Sequence, residues 1–365
     1  MATVEIIGLI AGHEHQSSEP YVSTPEFLNP AYVRRIAQVH EAAGFDRALI
    51  GWVSSYPDGL QIATHAAAAT SRLKFLVAHR PGFQAPTNAA RAFATFDRFY
   101  PGRAAIHVIS GGDDVEQQRD GDYLGHGERY ARTDEYVEIL KKIWNSNNAP
   151  VDHEGRYYRF KGALFNIEPE YRPRFPIYFG GASEAALRVA ARHADVYALF
   201  GEDHAGVADQ IARVRAAAAA HGRRPRFSIS FRPIVADTEQ EAWDRAHALL
   251  DRTIARRRER GLSDPAEPQA VGSRRLLATA AKGEVLDKRL FTALARVTGA
   301  GGNITALVGT AEQVSDALLD YYRLGADAFI LRGFDSAGDA EIYGAGLIPL
   351  LREKVAAESP RALSA

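Results

Sequence analysis

The stretch from Leu73 to Asp114, LKFLVAHRPGFQAPTNAARAFATFDRFYPGRAAIHVISGGDD, holds one complete strand–helix–strand unit and sets the reading of the whole chain. Leu73–His79 is a short, mostly apolar run of strand length. Pro86–Phe99 follows as an Ala-rich stretch of helical period opened by a proline, and Ala104–Ser110 returns to a short apolar run. A strand, a helix and a second strand in that order predict a βαβ unit, which places the two strands parallel.

The same alternation extends in both directions. Strand-like runs occupy Val4–Ile10, Arg47–Trp52, Pro176–Phe179, Val196–Phe200, Phe227–Val235 and Ala328–Leu331. Helical patterns lie near Pro30–Ala43, Asp58–Thr70, Glu128–Trp144, Glu184–His193, Ala205–His221, Glu239–Arg260, Ala311–Leu324 and Asp339–Val355. Asn29-Pro30 supplies a helix start as N-cap and first residue, and Gly44, Gly222 and Gly325 stand where helices should close. Eight strands with intervening helices predict a closed (β/α)8 TIM barrel, read as a single domain over residues 1–365. An open doubly wound sheet would need a Gly-rich turn directly after the first strand, and Gly12 alone does not provide one.

Two insertions break the rhythm. Val151–Asn166, with aromatics alternating around Gly155, reads as a β-hairpin. Gly261–Gly302 carries Pro265, Pro268, Gly272 and Gly283, with Arg274, Arg275, Lys282 and Arg289 between them. A loop of this length inside a compact domain suggests an active-site lid, with a passive linker as the alternative.

Composition narrows the function classes. The chain has 365 residues, 46% of them hydrophobic, and a formal net charge of −1, so there is no long-range field to gather nucleic acid or an anionic membrane. The absence of cysteine excludes disulfides, thiolate metal sites and thiol catalysis. MATVEIIGLIAG carries no basic segment of a secretory signal, and no apolar run approaches the ~20 residues needed to span a bilayer, so a cytoplasmic protein is expected.

In a barrel, chemistry collects at the C-terminal ends of the strands. The polar residues expected there are His13; Trp52, Ser54, Ser55 and Tyr56; His79 and Arg80; His107 and Ser110; Ser183; Glu202; Ser230 and Arg232; and Arg332 and Asp335. FGGASEAA, at Phe179–Ala186, runs a strand into two glycines and then a serine at a helix N-cap. The unpaired N–H groups and dipole there suit a phosphate, although an ordinary Ser cap after a tight turn would read the same. HGERYARTDEY places His126 and Tyr130 four apart, on one helix face. They could donate to one anion, or serve as a capping His and a half-buried core Tyr. His13 and His15 lack further ligands at metal spacing, so no metal site is expected.

The Leu73–Asp114 stretch, HGERYARTDEY and PIYFGGASEAA, together with TALVGTAEQV and LGADAFILRGF near the C-terminus, resemble the bacterial luciferase-like flavin monooxygenases, in particular the two-component alkanesulfonate monooxygenases. The likeness runs from Val4 to Leu351. It implies a TIM barrel that takes reduced FMN from a separate NAD(P)H-dependent flavin reductase. Reaction with O2 would give a C4a-(hydro)peroxyflavin that oxygenates a small organic substrate, such as a sulfonate or sulfone, in a homodimer or homotetramer. By position, His126 and Tyr130 match the pair that meets the FMN phosphate, with Ser183 and the Gly181–Ala182 backbone opposite. Ala78 and His79 lie beneath the isoalloxazine. His107 stands where the sulfonate enzymes have Asn, Ser110 where they have Thr, and His13 matches an active-site His.

Several positions depart from the sulfonate pattern. Ser230 and Arg232 replace an Arg-x-His pair, Tyr56 a Cys, Phe200 a Trp and Phe334 a Tyr, and the lid arginine gives way near Thr298. The expected catalytic group is therefore His13, Tyr56 and Arg232. Arg232 is the fixed cation for a substrate anion or the peroxide, and His13 and His107 are proton donors or positioners. A deazaflavin-dependent oxidoreductase on the same barrel, or a non-catalytic flavin-binding relative, are the competing readings. A barrel aldolase would need a Lys at a strand end, and the one strand-borne lysine, Lys74, lies at the opposite end.

Overall fold

A computed structural model describes residues 3–14, 28–167, 175–262, 265 and 267–358. The chain runs through β1 (Glu5–Leu9), β2 (Arg47–Ile50), β3 (Lys74–His79) and β4 (Ala104–Val108). An antiparallel hairpin of β5 (Val151–Glu154) and β6 (Arg159–Ala163) follows, then β7 (Ile177–Gly180), β8 (Val196–Phe200) and β9 (Arg226–Phe231). Four short strands come next, β10 (Ile234–Val235), β11 (Val285–Leu286), β12 (Leu290–Phe291) and β13 (Ala306–Gly309), before β14 (Ala328–Leu331).

Strands β1, β2, β3, β4, β7, β8, β9 and β14 form a closed parallel barrel in that order, with β14 pairing onto β1 through Glu5↔Ala328 and Ile7↔Ile330. The chain is therefore a (β/α)8 barrel, and all eight expected strands are its staves. Both faces of each strand are apolar because both are covered. Ile7, Leu76, Ala105, Tyr178, Val196, Ala328 and Ile330 meet inside the barrel. Phe75, Val77, Ile106, Phe179, Phe227 and Ile229 belong to the larger cluster packed against the surrounding helices.

Local signals fix the helix ends. Asn29 Oδ1 accepts from Tyr32 N (3.0 Å) at the start of Pro30–Ala42. Thr310 and Gln313 form a reciprocal capping box, and Gly325 ends that helix at φ +115°. At the N-terminal end of the barrel, Glu5 accepts from Arg47 Nε (2.9 Å) and Tyr178 Oη (2.8 Å) and pairs with Arg226 (3.3 Å), which also binds Asp327 (2.9 Å). This network closes the floor opposite the mouth.

Three local expectations are corrected. The run Phe227–Val235 is two strands. Pro233 offers no N–H, Arg232 N turns to Thr305 O (3.0 Å), and Ile234–Val235 leaves the barrel to pair with β13. The span Asp339–Val355 is broken by a π-turn at Tyr343–Leu347, ahead of a helix whose first turn holds Pro349. Gly344 packs there so tightly that a Cβ would lie 2.6 Å from Ala43 Cα. Finally, half of Gly261–Gly302 is regular structure rather than loop. Helices Val271–Ala281 and Ala293–Thr298 and strand β12 contribute Leu276, Leu294 and Phe291 to a second apolar cluster with Leu249 and Phe334, while β11 pairs with β12. Its helix escaped a pattern reading because Ala270 gives no side-chain cap.

Candidate active site

Two groups of residues occupy the C-terminal mouth. The first gathers where β7 enters the helix Glu184–His193 and where the helix His126–Trp144 begins. Gly181 adopts φ +131°, and a Cβ on it would sit 2.9 Å from Tyr130 Oη and 2.8 Å from Ala186 Cβ. Only glycine combines that backbone with that contact. Ser183 is the N-cap of Glu184–His193, its Oγ accepting from Ala186 N (3.1 Å), and it is also hydrogen-bonded to Tyr130. Burial raises the Tyr130 pKa, with the Ser183 bond opposing, so Tyr130 is a phenol and a donor. The Tyr197 hydroxyl donates to Gly181 O and fixes the turn from the other side.

His126 is exposed at the first position of its helix, with its ring centroid 4.9 Å from that of Tyr130. Burial first, and then the positive charge of Arg129, lower its pKa; Arg274 adds to this and Asp114 opposes it. His126, Tyr130, Ser183 and the Gly181–Ala182 backbone therefore lie together, as their spacing allowed.

The second group lines the barrel interior. In-register pairing of Ala78 with His107, and of His107 with Tyr178, turns these side chains to one face. Gly180 lies beside them: its Cβ would be 3.8 Å from His107 Cε1. Burial pushes the His107 pKa down to about 4, so the ring is neutral. Its Nδ1 is buried without a partner among the described residues, as is Ser228 Oγ. Arg232, at the end of β9, is buried. Its guanidinium stacks 4.9 Å from the Phe334 ring centroid and Nη1 lies 3.5 Å from Gly333 O. Arg332 Nη2 donates to Asn303 O (2.6 Å), and Asn303 Nδ2 donates to Ser230 O (2.6 Å), tying the ends of β9 and β14 to the residue that follows the insertion.

Other expected residues lie elsewhere. The His79 ring points out of the barrel, hydrogen-bonded to Tyr136 Oη (2.7 Å) and edge-on to Phe93, with burial pushing its pKa down to about 4. Ser110 Oγ pairs with Thr133 Oγ1 (2.9 Å) on the His126–Trp144 helix. His13 is buried after β1, and Tyr56 is half-buried in the turn after β2. His15 lies outside the described residues. Among the described residues no group of three His, Asp or Glu could hold a metal, and no helix is long and apolar enough to cross a membrane.

Sequence reasoning passed over one wall of the mouth. The Arg80 guanidinium lies beside the stacked rings of Trp52 (6.0 Å) and Phe83 (5.7 Å) and pairs with Glu116 (2.7 Å), which also accepts from Ser54 N (2.7 Å). Arg80 and Trp52 stood at strand ends, but nothing in the sequence coupled them to Glu116. The position of the insertion was also hidden. Ala270 packs on Gly112, where a Cβ would be 3.0 Å away, Gln269 Oε1 accepts from Asp114 N (3.1 Å), and Gly272 lies under Phe200.

A sequence model of the luciferase-like monooxygenase family matches residues 7–328. The chain is similar in structure to a riboflavin lyase solved with modified FMN and riboflavin, at 20% identity over 96% of this chain and 92% of that one, with a TM-score of 0.76. It is similar to an EDTA monooxygenase from Chelativorans sp. BNC1, at 20% identity over 96% and 94%, TM-score 0.75. A coenzyme F420 dependent tetrahydromethanopterin reductase from Methanopyrus kandleri matches at 17% identity over 96% and 99%, TM-score 0.69. At these identities the structural likeness is one of fold.

Proposed function

The chain belongs to the luciferase-like monooxygenase family, and from that premise we propose that it is a two-component, reduced-FMN-dependent monooxygenase acting on a small organic substrate such as a sulfonate or sulfone. In this reading a separate NAD(P)H-dependent reductase supplies the flavin, and the enzyme works in the cytoplasm as a homodimer or homotetramer. One barrel domain carries the site, with 261–302 as its lid.

The observation that carries the proposal is the cradle around Gly181. A glycine at φ +131° with no room for a Cβ, a Tyr130 phenol, a Ser183 N-cap and His126 converge at a helix N-terminus. Such donors suit a terminal phosphate monoester. His107 fits the ring system, since its buried, unpartnered Nδ1 faces the barrel interior beside Ala78 and Gly180. FMN in its reduced form would supply the reaction with O2. The chain's own part is to hold the phosphate with His126, Tyr130 and Ser183, to leave room for the ring at Ala78, and to exclude water under the insertion. Arg232 holds an anionic group of the substrate or stabilises charge that develops during oxygen transfer. It stays protonated at all working pH values, so it does not shuttle a proton. His13 and Tyr56 are the proton-bearing groups on the substrate side.

Fluorescence titration under anaerobic conditions tests the cofactor. Reduced FMN should bind more tightly than oxidised FMN, with FAD and F420 weaker than either. Admission of O2 with candidate sulfonates and sulfones should then release oxygenated product. Tighter binding of F420 than of reduced FMN would replace this reading with hydride transfer. Tight FMN binding without product from any candidate would leave a flavin-binding protein.

A further inference from the structure

We propose that Asp339 and Tyr343, buried behind the last stave of the barrel, are positioning residues for Arg232: they clamp the backbone on both sides of the Arg232–Phe334 stack and so fix where the guanidinium stands in the mouth. The proposal rests on the reading above, in which Arg232 acts on the substrate side.

Strands β9 and β14 stay paired to their ends, where Arg332 N donates to Phe231 O (3.2 Å). Beyond that point their chains separate. Arg232 N turns to Thr305 O (3.0 Å) and leads into Pro233 and β10, while Arg332 leads into Gly333, Phe334 and Asp335. The side chains that meet across the gap are Arg232 and Phe334, both buried, with the guanidinium 4.9 Å from the ring centroid. The barrel ladder no longer holds either residue. A stacked guanidinium keeps its plane only while the ring beneath it keeps its own.

The helix Ser336–Ile342 and the π-turn Tyr343–Leu347 supply the missing support. Asp339 Oδ2 accepts from Phe334 N (2.7 Å) and Asp335 N (2.9 Å). Gly333 passes so close to the Asp339 side chain that a Cβ has no room there. Tyr343 Oη donates to Pro233 O (2.5 Å), on the residue directly after Arg232. Asp339 and Tyr343 stand at i and i+4, so one helical face holds both loops. Arg245, on the helix Glu239–Glu259, completes the clamp. It pairs with the Asp339 carboxylate and donates from Nη1 to Val235 O (3.2 Å).

Stability alone does not account for this arrangement. Desolvation offsets most of the attraction in a buried ion pair, so apolar residues of similar volume would hold the two loops as firmly. A carboxylate that takes two backbone N–H groups and a guanidinium instead fixes direction. The π-turn points the same way, since such turns recur at functional sites. A donor that meets developing charge acts only if it is in place beforehand, and Arg232 is the side chain on which both jaws of the clamp converge.

The test compares wild type, Asp339→Asn, Tyr343→Phe and each of these combined with Arg232→Ala. Crystal structures give the position of the Arg232 guanidinium over Phe334, and anaerobic titration gives the reduced-FMN affinity. Single-turnover stopped-flow with O2 and octanesulfonate or dimethyl sulfone gives the rate of product formation. Asp339→Asn should displace the guanidinium and slow product formation by roughly ten- to a hundredfold, the range for a misplaced group at a reacting centre. Tyr343→Phe keeps the ring, should fold as wild type does, and should slow the reaction by roughly three- to tenfold for one lost hydrogen bond. Both variants should bind reduced FMN as wild type does. In the Arg232→Ala background neither substitution should slow the reaction further, a non-additivity that general loss of structure would not give. An unmoved guanidinium in Tyr343→Phe or in folded Asp339→Asn, or rate losses that persist without Arg232, would overturn the proposal. Product from neither compound in wild type would overturn the substrate reading above, and the position of Arg232 in the variants would then decide the clamp by itself.

Discussion

Gly181 and Tyr130 meet so closely that a methyl group on the glycine would lie 2.9 Å from the phenol oxygen, although 51 residues separate them in the chain. The contact joins the strand-to-helix turn after β7 to the first turn of His126–Trp144, so two backbone segments that offer donors to one anion are locked in register. Gly181→Ala should cost about 1–3 kcal/mol of stability, from the left-handed φ and the collision together, and should also weaken reduced-FMN binding. Tyr130→Phe removes the hydroxyl while keeping the ring. It should weaken FMN by about 1–3 kcal/mol and shift the melting temperature little. Equal flavin affinity in Tyr130→Phe and wild type would leave this contact as packing alone.

Arg232 should govern chemistry rather than cofactor binding. Its guanidinium is buried against Phe334 at the end of β9, away from the phosphate cradle. Arg232→Ala is expected to slow product formation by roughly 10²–10³-fold, as for loss of one preorganised donor, with reduced-FMN affinity nearly intact. Arg232→Lys should restore part of the rate, because an ammonium cannot reproduce the planar fork. Single-turnover stopped-flow with reduced flavin, O2 and the substrate reads both quantities, and wild-type turnover in Arg232→Ala would remove the residue from the mechanism.

Buried histidines should make the protein sensitive to mild acid. Burial pushes the pKa of His40, His79 and His107 down to about 4 each. A folded-state pKa below the unfolded value of 6.5 means that the unfolded chain takes up protons first. Stability from this source is therefore complete above about pH 6.5 and declines as pH falls toward 4. With all three contributing, the slope reaches about 4 kcal/mol per pH unit. Urea unfolding at half-unit steps from pH 7 to 4.5 measures it. His107→Asn should remove about one proton from the uptake, and an unchanged slope in that variant would show that His107 is not held neutral by the fold.

The floor network adds a second, more acidic dependence. Burial by itself would raise the pKa of Glu5, but the charge and hydrogen bond of Arg47, the Tyr178 hydroxyl and Arg226 outweigh it and leave the pKa lowered. This contribution is present above pH ~4.5 and is lost as the pH falls through the folded value. Asp327 works in the opposite sense, because burial raises its pKa despite the Arg226 bond. Glu5→Gln should destabilise the barrel by about 3–5 kcal/mol near neutral pH, since Arg47 is left buried without its charge partner. The gap from wild type should narrow below pH 4. A gap that is constant with pH would mean that the loss is one of packing.

Much of this protein was determined by local sequence. The βαβ rhythm around Leu73–Asp114, the Asn29-Pro30 start and the Gly325 stop act over a few residues, and all eight staves of the barrel follow from them. Periodicity also placed His126 and Tyr130 on one face and Ser183 at a helix cap, because i to i+4 spacing and capping are properties of single helices. What tertiary structure alone decided is which groups meet across the mouth and which way each side chain points. His79 and His107 both sit near strand ends in an unbroken apolar context. Parity with the closed barrel sends the first outward to Tyr136 and the second inward beside Ala78. Gly261–Gly302 read as a loop because its proline and glycine content breaks local patterns, yet it folds by burying Leu276, Phe291 and Leu294 against residues from Leu249 to Phe334. Burial of that kind has no signature within a short window. The contact of Asp114 with Gln269, 155 residues apart, exists only because the barrel closes and the insertion docks across its mouth.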